Sequence, residues 1–479
     1  MSKVKVEYQA LINGKLYKND KWVTVINPTT NVPAGTIPAL TKTEITNTYQ
    51  AAKTAQILWA NTPLLKRIDF LNHWKQLIIR DKAIMAQLMT SEIAKAISAA
   101  ESEIDRSVEY IDYTLQSALR LHPQSYTGDS WGTNNKIGIF EQVPKGIILA
   151  ISPFNYPVNL AVSKIFPALV MGNSVVFKPA TQGSLVGLHL AQLAYEAKIP
   201  AGVFNAVSGK GSEIGDILVE NKLVNVISFT GSANIGHNIA QKSLKADLIL
   251  ELGGKDAAIV LDDADLEDTA TKIIKGAFSY SGQRCTAIKR VLVQRGISEA
   301  LIALLKIKAE KLSVGLPTKN CDITPIIDID TANNAQLLIN NALSLGASCL
   351  TGNKFQDNLI WPTIITNVTT NMDLAWEEPF APVIPIIIFD EVAQSIKIAN
   401  DSKYGLQASV FTTNINAAMS IAKCLEVGSV NINDQSQRGP DHFPFVGIKD
   451  SGLGVQGIVD SLLAFSRPKG IIINWKTKI

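Results

Sequence analysis

From Gly146 onward, short β-branched runs alternate with stretches whose apolar residues recur at helical spacing: GIILAIS, NLAVSKIFPALVMG, SVVFKP, SLVGLHLAQLAYEA and VFNAVSG follow one another. That rhythm predicts βαβ units. It runs on through GSEIGDILVEN, NVISFTGS and ANIGHNIAQKSL, which predicts a parallel sheet wrapped by helices, with a nucleotide site at its strand ends. The first 120 residues read mainly as helices that pack on this sheet, since QILWANTPLLKRIDFLNHWKQLIIRDKAIMAQLMTSEIAKA keeps an apolar period throughout. A second alternation begins with AAIVL. It continues with a helix around Asp265 to Tyr280, the strand KRVLVQ and the helix ISEALIALLKIKAEKL, and closes near Ser429 to Asp434. The late run IIINW is a strand that needs another sheet to accept it, and residues 128–142 are similarly loose in pattern. The two together predict a small outer sheet open to subunit contact.

The expected organisation is therefore α/β: a Rossmann-type cofactor domain in residues 1–127 and 143–250, an α/β catalytic domain in 251–434, and oligomerisation segments in 128–142 and 435–479. At 479 residues, two large domains are the natural expectation. A composition of 46% apolar and 18% charged residues is that of a globular enzyme. A net charge of +3 without a dense basic tract argues against a nucleic-acid partner. No run reaches membrane-spanning length and the N-terminal MSKVKVEYQALINGK lacks a signal-peptide core, so no membrane partner is expected and the chain reads as soluble. The four cysteines show neither CxxC pairing nor a disulfide framework, which points to a reducing, cytoplasmic location.

Three residues carry the candidate chemistry. Cys285 follows Gly282, Gln283 and Arg284 in FSYSGQRCTAIKR, where backbone donors and the Arg284 charge are placed to favour a thiolate. Cys321, Cys349 and Cys424 lack such company and read as inert. Glu251 ends the apolar strand LILEL just before Gly253 and Gly254, where a carboxylate facing a cleft can take a proton from water. Asn155, in ISPFNYP, is either a turn former or an amide donor to a developing oxyanion. The five histidines are dispersed without ligand spacing, so no metal is expected. Gly209 to Gly215, which includes Gly211 and Gly215, is a poor match to the dinucleotide fingerprint. FTGS is more informative, because Gly231 and Ser232 open the helix ANIGHNIA and would offer its N-terminal donors to a pyrophosphate.

Taken in order along the chain, ISPFNYP, FKPATQGS, FTGSANIG, ELGGKDAAIV, YSGQRCTA and EEPFAPV resemble the aldehyde dehydrogenase superfamily over nearly the whole length. SPFNYPVN, YSGQRC, YGLQAS and QRGPDHFPF are most similar to the branch that oxidises glyceraldehyde 3-phosphate irreversibly without inorganic phosphate. The resemblance implies Cys285 as nucleophile, Glu251 as general base for thioester hydrolysis, and Asn155 with the Cys285 N–H as oxyanion hole. It implies cofactor contacts at Ile151, Ser152, Pro153, Phe154, Lys178, Thr181, Gly211, Gly215, Phe229, Thr230, Gly231, Ser232, Leu252, Gly253, Glu378 and Phe380. Thr181 stands where NAD-preferring relatives often carry a glutamate, and with Lys178 it would accept a 2′-phosphate; NADP is therefore expected, with NAD possible. A substrate phosphate would meet Arg106, Tyr156, Arg284 and Arg438, and similar enzymes are homotetramers. The competing readings are another aldehyde dehydrogenase, such as one for succinic semialdehyde, a CoA-acylating relative, and a catalytically silent protein that keeps the fold.

Overall fold

The computed structural model describes residues 6–129 and 132–475. Residues 1–5, 130–131 and 476–479, which fall within the expected domain ranges, lie outside the described residues. Two sheets dominate. The first has eight strands in the order Gly452–Leu453, Asp247–Glu251, Val226–Thr230, Ile147–Ile151, Ser174–Lys178, Phe204–Ala206, Ala10–Ile12 and Lys15–Tyr17. Its central strands pair in parallel, and the pairings at either edge are antiparallel. Buried on both faces, Ile147–Ile151 and Ser174–Lys178 read as continuous apolar runs rather than as alternation.

The second sheet has seven strands, with Ile288–Gln294 at its centre and Asp256–Val260 next to it, between Ile288–Gln294 and Gln407–Phe411. Its pairings are parallel except at the edge strand Ser348–Thr351. The helix Leu266–Phe278 connects the two adjacent strands Asp256–Val260 and Ile288–Gln294 and starts at Asp265, whose side chain accepts the Asp268 N–H. The strand Ser466–Asn474, which contains the isoleucine run, does find its acceptor: it pairs antiparallel with Lys136–Pro144 along its whole length. No helix among the described residues is long and apolar enough to cross a membrane.

The structure departs from the sequence reading at the N-terminus and in two of the range boundaries. The elements within residues 6–38 are strands, not helices, and Ala10–Ile12 turns back on Lys15–Tyr17 to add an antiparallel edge to the first sheet. Asn13 and Gly14 make that turn with φ of 49° and 70°, the left-handed conformations that an Asn-Gly hairpin requires. Gln124–Thr127, which the sequence places in the cofactor domain, is the third strand of the small outer sheet. Much of 435–479 lies inside the main body instead of in that sheet. Gly452–Leu453 pairs with Asp247–Glu251, and Ile458, Leu462 and Phe465 are buried in the same core as the helix Ile97–Ala118. Apolar residues that recur at helical spacing between turns find burial against that helix, which a sheet strand could not give them.

Candidate active site

The parallel register sets one row of site residues side by side at the C-terminal ends of the first sheet's strands. Thr230 pairs with Glu251, Phe229 with Ile151, and Ile151 with Lys178. A ligand lying across this edge meets all of them. Ile151, Ser152, Pro153 and Phe154 leave the sheet together, with Ser152 N–H donating to Lys178 O at 3.3 Å. The Ser152 hydroxyl is buried without a protein partner.

Glu251 is 7% exposed yet ionised. Burial pushes its pKa up, but the Arg438 guanidinium and the Lys164 ammonium more than reverse this, and Thr230 adds a hydrogen bond, so the carboxyl is held below the usual range. Arg438 Nη1 lies 2.9 Å from Oε1, and Thr230 Oγ1 donates to Oε2 at 2.7 Å. Lys164 Nζ lies 3.5 Å from Oε2 and donates to Thr230 Oγ1 at 2.7 Å. Burial lowers the Lys164 ammonium to about 8. Sequence reasoning missed this lysine; the one charged residue in the largely apolar helix Asn159–Val170, every residue of which is buried, was the available signal.

Cys285 sits on a strained loop. Tyr280, Ser281 and Gly282 have φ of 52°, 54° and 73° in succession, which folds the chain sharply after the helix Leu266–Phe278. At Gly282 a Cβ would run into the carbonyl oxygen of Ala381, so only glycine passes there. The loop is tied down by reciprocal bonds: Ser281 Oγ donates to Thr324 O at 2.8 Å and accepts Thr324 N–H at 2.9 Å, while Gln283 Oε1 accepts Ile327 N–H at 2.9 Å. Asn155, which follows the first sheet's strand Ile147–Ile151, joins this loop by donating Nδ2 to Gln283 O at 2.8 Å. Buried Lys95 holds Asn155 by donating to its carbonyl at 2.9 Å, and Lys95 is paired in turn with Glu103. Neither Lys95 nor Glu103 was foreseen.

The expected origin of a thiolate needs correction. Arg284 turns away and donates Nη2 to Gly276 O at 2.5 Å, with its Nε buried and unpartnered. The cation that lowers the Cys285 pKa is Lys289. Burial outweighs it, and Glu251, Glu378 and Asp256 push the same way, so the thiol is raised to about 11 and rests protonated.

The expected phosphate residues are brought partly together. Arg106 grips Asp441 with Nε and Nη2 at 3.0 and 2.7 Å, and Nη2 also donates to Arg438 O at 3.0 Å. Arg438 stands between Glu251 and Gln456, with Nε 3.9 Å from Asp441. Tyr156 carries Lys95 Nζ 3.6 Å above its ring and faces Tyr280 edge-on. Both Arg106 and Arg438 are therefore engaged by carboxylates while retaining further N–H donors. Arg284 makes a single bond, to Gly276 O, and its buried Nε has no partner.

The residues expected to meet the cofactor line a common cleft edge. Ser232 caps the helix Ala233–Lys242 without a side-chain bond, so the first-turn N–H groups are open to an anion. By contrast the helix Ser184–Glu196 is already closed by buried Glu92, which accepts N–H bonds from Gly183, Leu185 and Val186. Gly211 and Gly215 have open space where a Cβ would stand. Leu252 packs against Gly236 of the open helix and donates its N–H to Ser451 O. Lys178 is buried, donates to Pro179 O at 3.1 Å, and has its ammonium lowered to about 8 by burial. Thr181 lies just beyond it, half-buried before the helix Ser184–Glu196. At the far end Glu378 accepts the Gly254 N–H at 3.3 Å, and a side chain at Gly253 would collide with it. Phe380 faces Phe154 edge-on at 5.9 Å. An open helix terminus, glycines at close approaches and a carboxylate at the opposite end suit a dinucleotide.

The description "Aldehyde dehydrogenase family" matches residues 16–471. The chain is 44% identical over 470 residues to the NADP-dependent glyceraldehyde-3-phosphate dehydrogenase of Streptococcus equinus, across 98% of this chain and 99% of that protein. It is 45% identical to the enzyme of the same name from Pisum sativum, across 97% of this chain and 96% of that one. The crystal structure of NADP-dependent glyceraldehyde-3-phosphate dehydrogenase from Bacillus halodurans C-125 complexed with NADP matches with a TM-score of 0.97 and 47% identity, across 98% of this chain and 100% of that one. The chain belongs to the aldehyde dehydrogenase family and has its α/β fold.

Proposed function

We propose that the chain oxidises glyceraldehyde 3-phosphate, a glycolytic triose phosphate, to 3-phosphoglycerate with NADP and without inorganic phosphate. The observation that carries this reading is the convergence of Cys285, Asn155 and Glu251 beside the arginines Arg106 and Arg438. It agrees with relatives of that name matched over nearly their full lengths.

In this reading Cys285 loses its proton to solvent water and its sulfur attacks the aldehyde carbon. Asn155 Nδ2 and the Cys285 N–H stabilise the oxygen of the resulting thiohemiacetal. NADP, when bound, supplies the acceptor for the hydride. The thioester left on Cys285 is then cleaved by water whose proton passes to Glu251 and on to the departing sulfur, releasing the free acid and restoring the thiol. Arg106, Arg284, Arg438 and Tyr156 hold the substrate phosphate. Lys178 and Thr181 would hold the 2′-phosphate of NADP, Gly231 and Ser232 its pyrophosphate, and Glu378 with Phe380 the nicotinamide ribose.

The protein works as a cytoplasmic tetramer whose subunits meet through the small outer sheet. Its strand Ser466–Asn474 leaves Ile471, Ile472 and Ile473 exposed. The test is a product assay in phosphate-free buffer with NADP or NAD and with glyceraldehyde 3-phosphate or succinic semialdehyde. NADPH and free 3-phosphoglycerate in equal amounts support the reading. An absolute need for inorganic phosphate, or faster turnover of succinic semialdehyde, rejects it. Sedimentation of the wild type against Ile472→Lys tests the assembly.

A further inference from the structure

Lys289 lies on the strand Ile288–Gln294 with its side chain 3% exposed. A buried ammonium is costly unless it is paired and hydrogen-bonded, and here both conditions are met. Nζ donates to the carbonyl oxygen of Cys285 at 2.5 Å and stands 3.0 Å from Glu378 Oε1. Glu378 is in turn fixed by the Gly254 N–H, so one clamp links the turn after Glu251, the nucleophile's own peptide and the carboxylate at the cofactor end of the cleft.

The neighbouring cations are committed elsewhere. Lys255 donates to Glu377 O at 2.6 Å. Arg290 binds the carbonyls of Lys255, Ile398 and Ala399, Arg284 that of Gly276, and Arg438 faces Glu251. Around the thiol, the carboxylates of Glu251, Glu378 and Asp256 all disfavour ionisation. Asp256 is itself raised to about 7 by burial.

We propose that Lys289 is a positioning residue. Its ammonium anchors the peptide of Cys285 and offsets the Glu378 carboxylate beside the thiol. A single buried cation then sets both the ionisation of the nucleophile and the aim of the carboxylate offered to the cofactor's ribose. This deepens the reading of Cys285 as nucleophile and rests on it.

The experiment follows the rate at which iodoacetamide alkylates Cys285 in cofactor-free enzyme across pH, scored on the Cys285 peptide by mass because Cys349 and Cys424 are exposed and react as well. In Lys289→Met the inflection moves up by about one pH unit, as loss of an opposite charge at close range requires. At a fixed pH below both inflections that is about tenfold slower alkylation. NADP also binds more weakly to the variant. A folded Lys289→Met protein whose profile coincides with the wild type overturns the proposal. Should the single variant fail to fold, Glu378→Gln/Lys289→Met is compared with Glu378→Gln, since removing both charges leaves no unpaired one buried. The same upward shift is expected, and coincident profiles again overturn it. Wild-type enzyme that stays active after Cys285 is fully alkylated overturns the nucleophile itself, a result distinguishable from a failure confined to Lys289.

Discussion

Arg438 Nη1 lies 2.9 Å from Glu251 Oε1, both side chains nearly out of reach of water. Glu251 ends a strand of the first sheet, while Arg438 lies 187 residues later on the loop beyond the second. The pair keeps Glu251 ionised but occupied, so a carboxylate meant to take a proton from water must first be released. In the proposed function the substrate phosphate is the competing anion for Arg438, which would couple substrate binding to the freeing of the base. Arg438→Met removes the chief charge that holds the Glu251 pKa down. The carboxyl then titrates higher, and the acid limb of the steady-state rate moves up by about 1–2 pH units. The KM for glyceraldehyde 3-phosphate rises as well. A pH–rate profile identical to wild type would contradict this.

Glu251→Ala separates the two half-reactions. Stopped-flow absorbance is expected to retain a burst of about one NADPH per active site, followed by turnover slowed about 10²–10⁴-fold, the range of a lost general base. Loss of the burst would assign Glu251 to the first half-reaction instead.

Gly282→Ala places a Cβ against the carbonyl of Ala381 at a φ of 73°. The loop has to shift or the protein loses about 1–3 kcal/mol. Either outcome displaces Cys285, so the burst rate falls even where circular dichroism shows a native fold. A Gly282→Ala enzyme with a normal burst would mean that the loop's geometry does not set the nucleophile.

Much of this site is legible in the residues, and the reasons for the gaps are physical. Cys285, Glu251 and the glycines beside them declare themselves because each sits where backbone sterics and strand ends leave few alternatives. Arg284 misleads because adjacency in sequence does not fix side-chain direction. It points to Gly276, whereas Lys289 reaches back to the Cys285 carbonyl. Pairs such as Arg106 with Asp441 and Lys164 with Glu251 are set by tertiary packing over long separations, which no local pattern carries. The N-terminal hairpin, in contrast, was written in Asn13-Gly14 and hidden by the dominant helical period that follows.

Thr181→Glu tests the cofactor reading. A carboxylate beside Lys178 repels a 2′-phosphate, so kcat/KM for NADP should fall about tenfold or more, at about 1.4 kcal/mol per tenfold, while that for NAD changes less. Equal losses with both cofactors would place the 2′-phosphate elsewhere.

The proposed reaction depends on an acyl group passing through Cys285. Glu251→Ala enzyme mixed with NADP and glyceraldehyde 3-phosphate, quenched after the burst and digested, should show the 3-phosphoglyceryl adduct on the peptide that contains Cys285 and on no other. An adduct on a different side chain, or an unmodified Cys285 peptide after a full burst, would contradict the account.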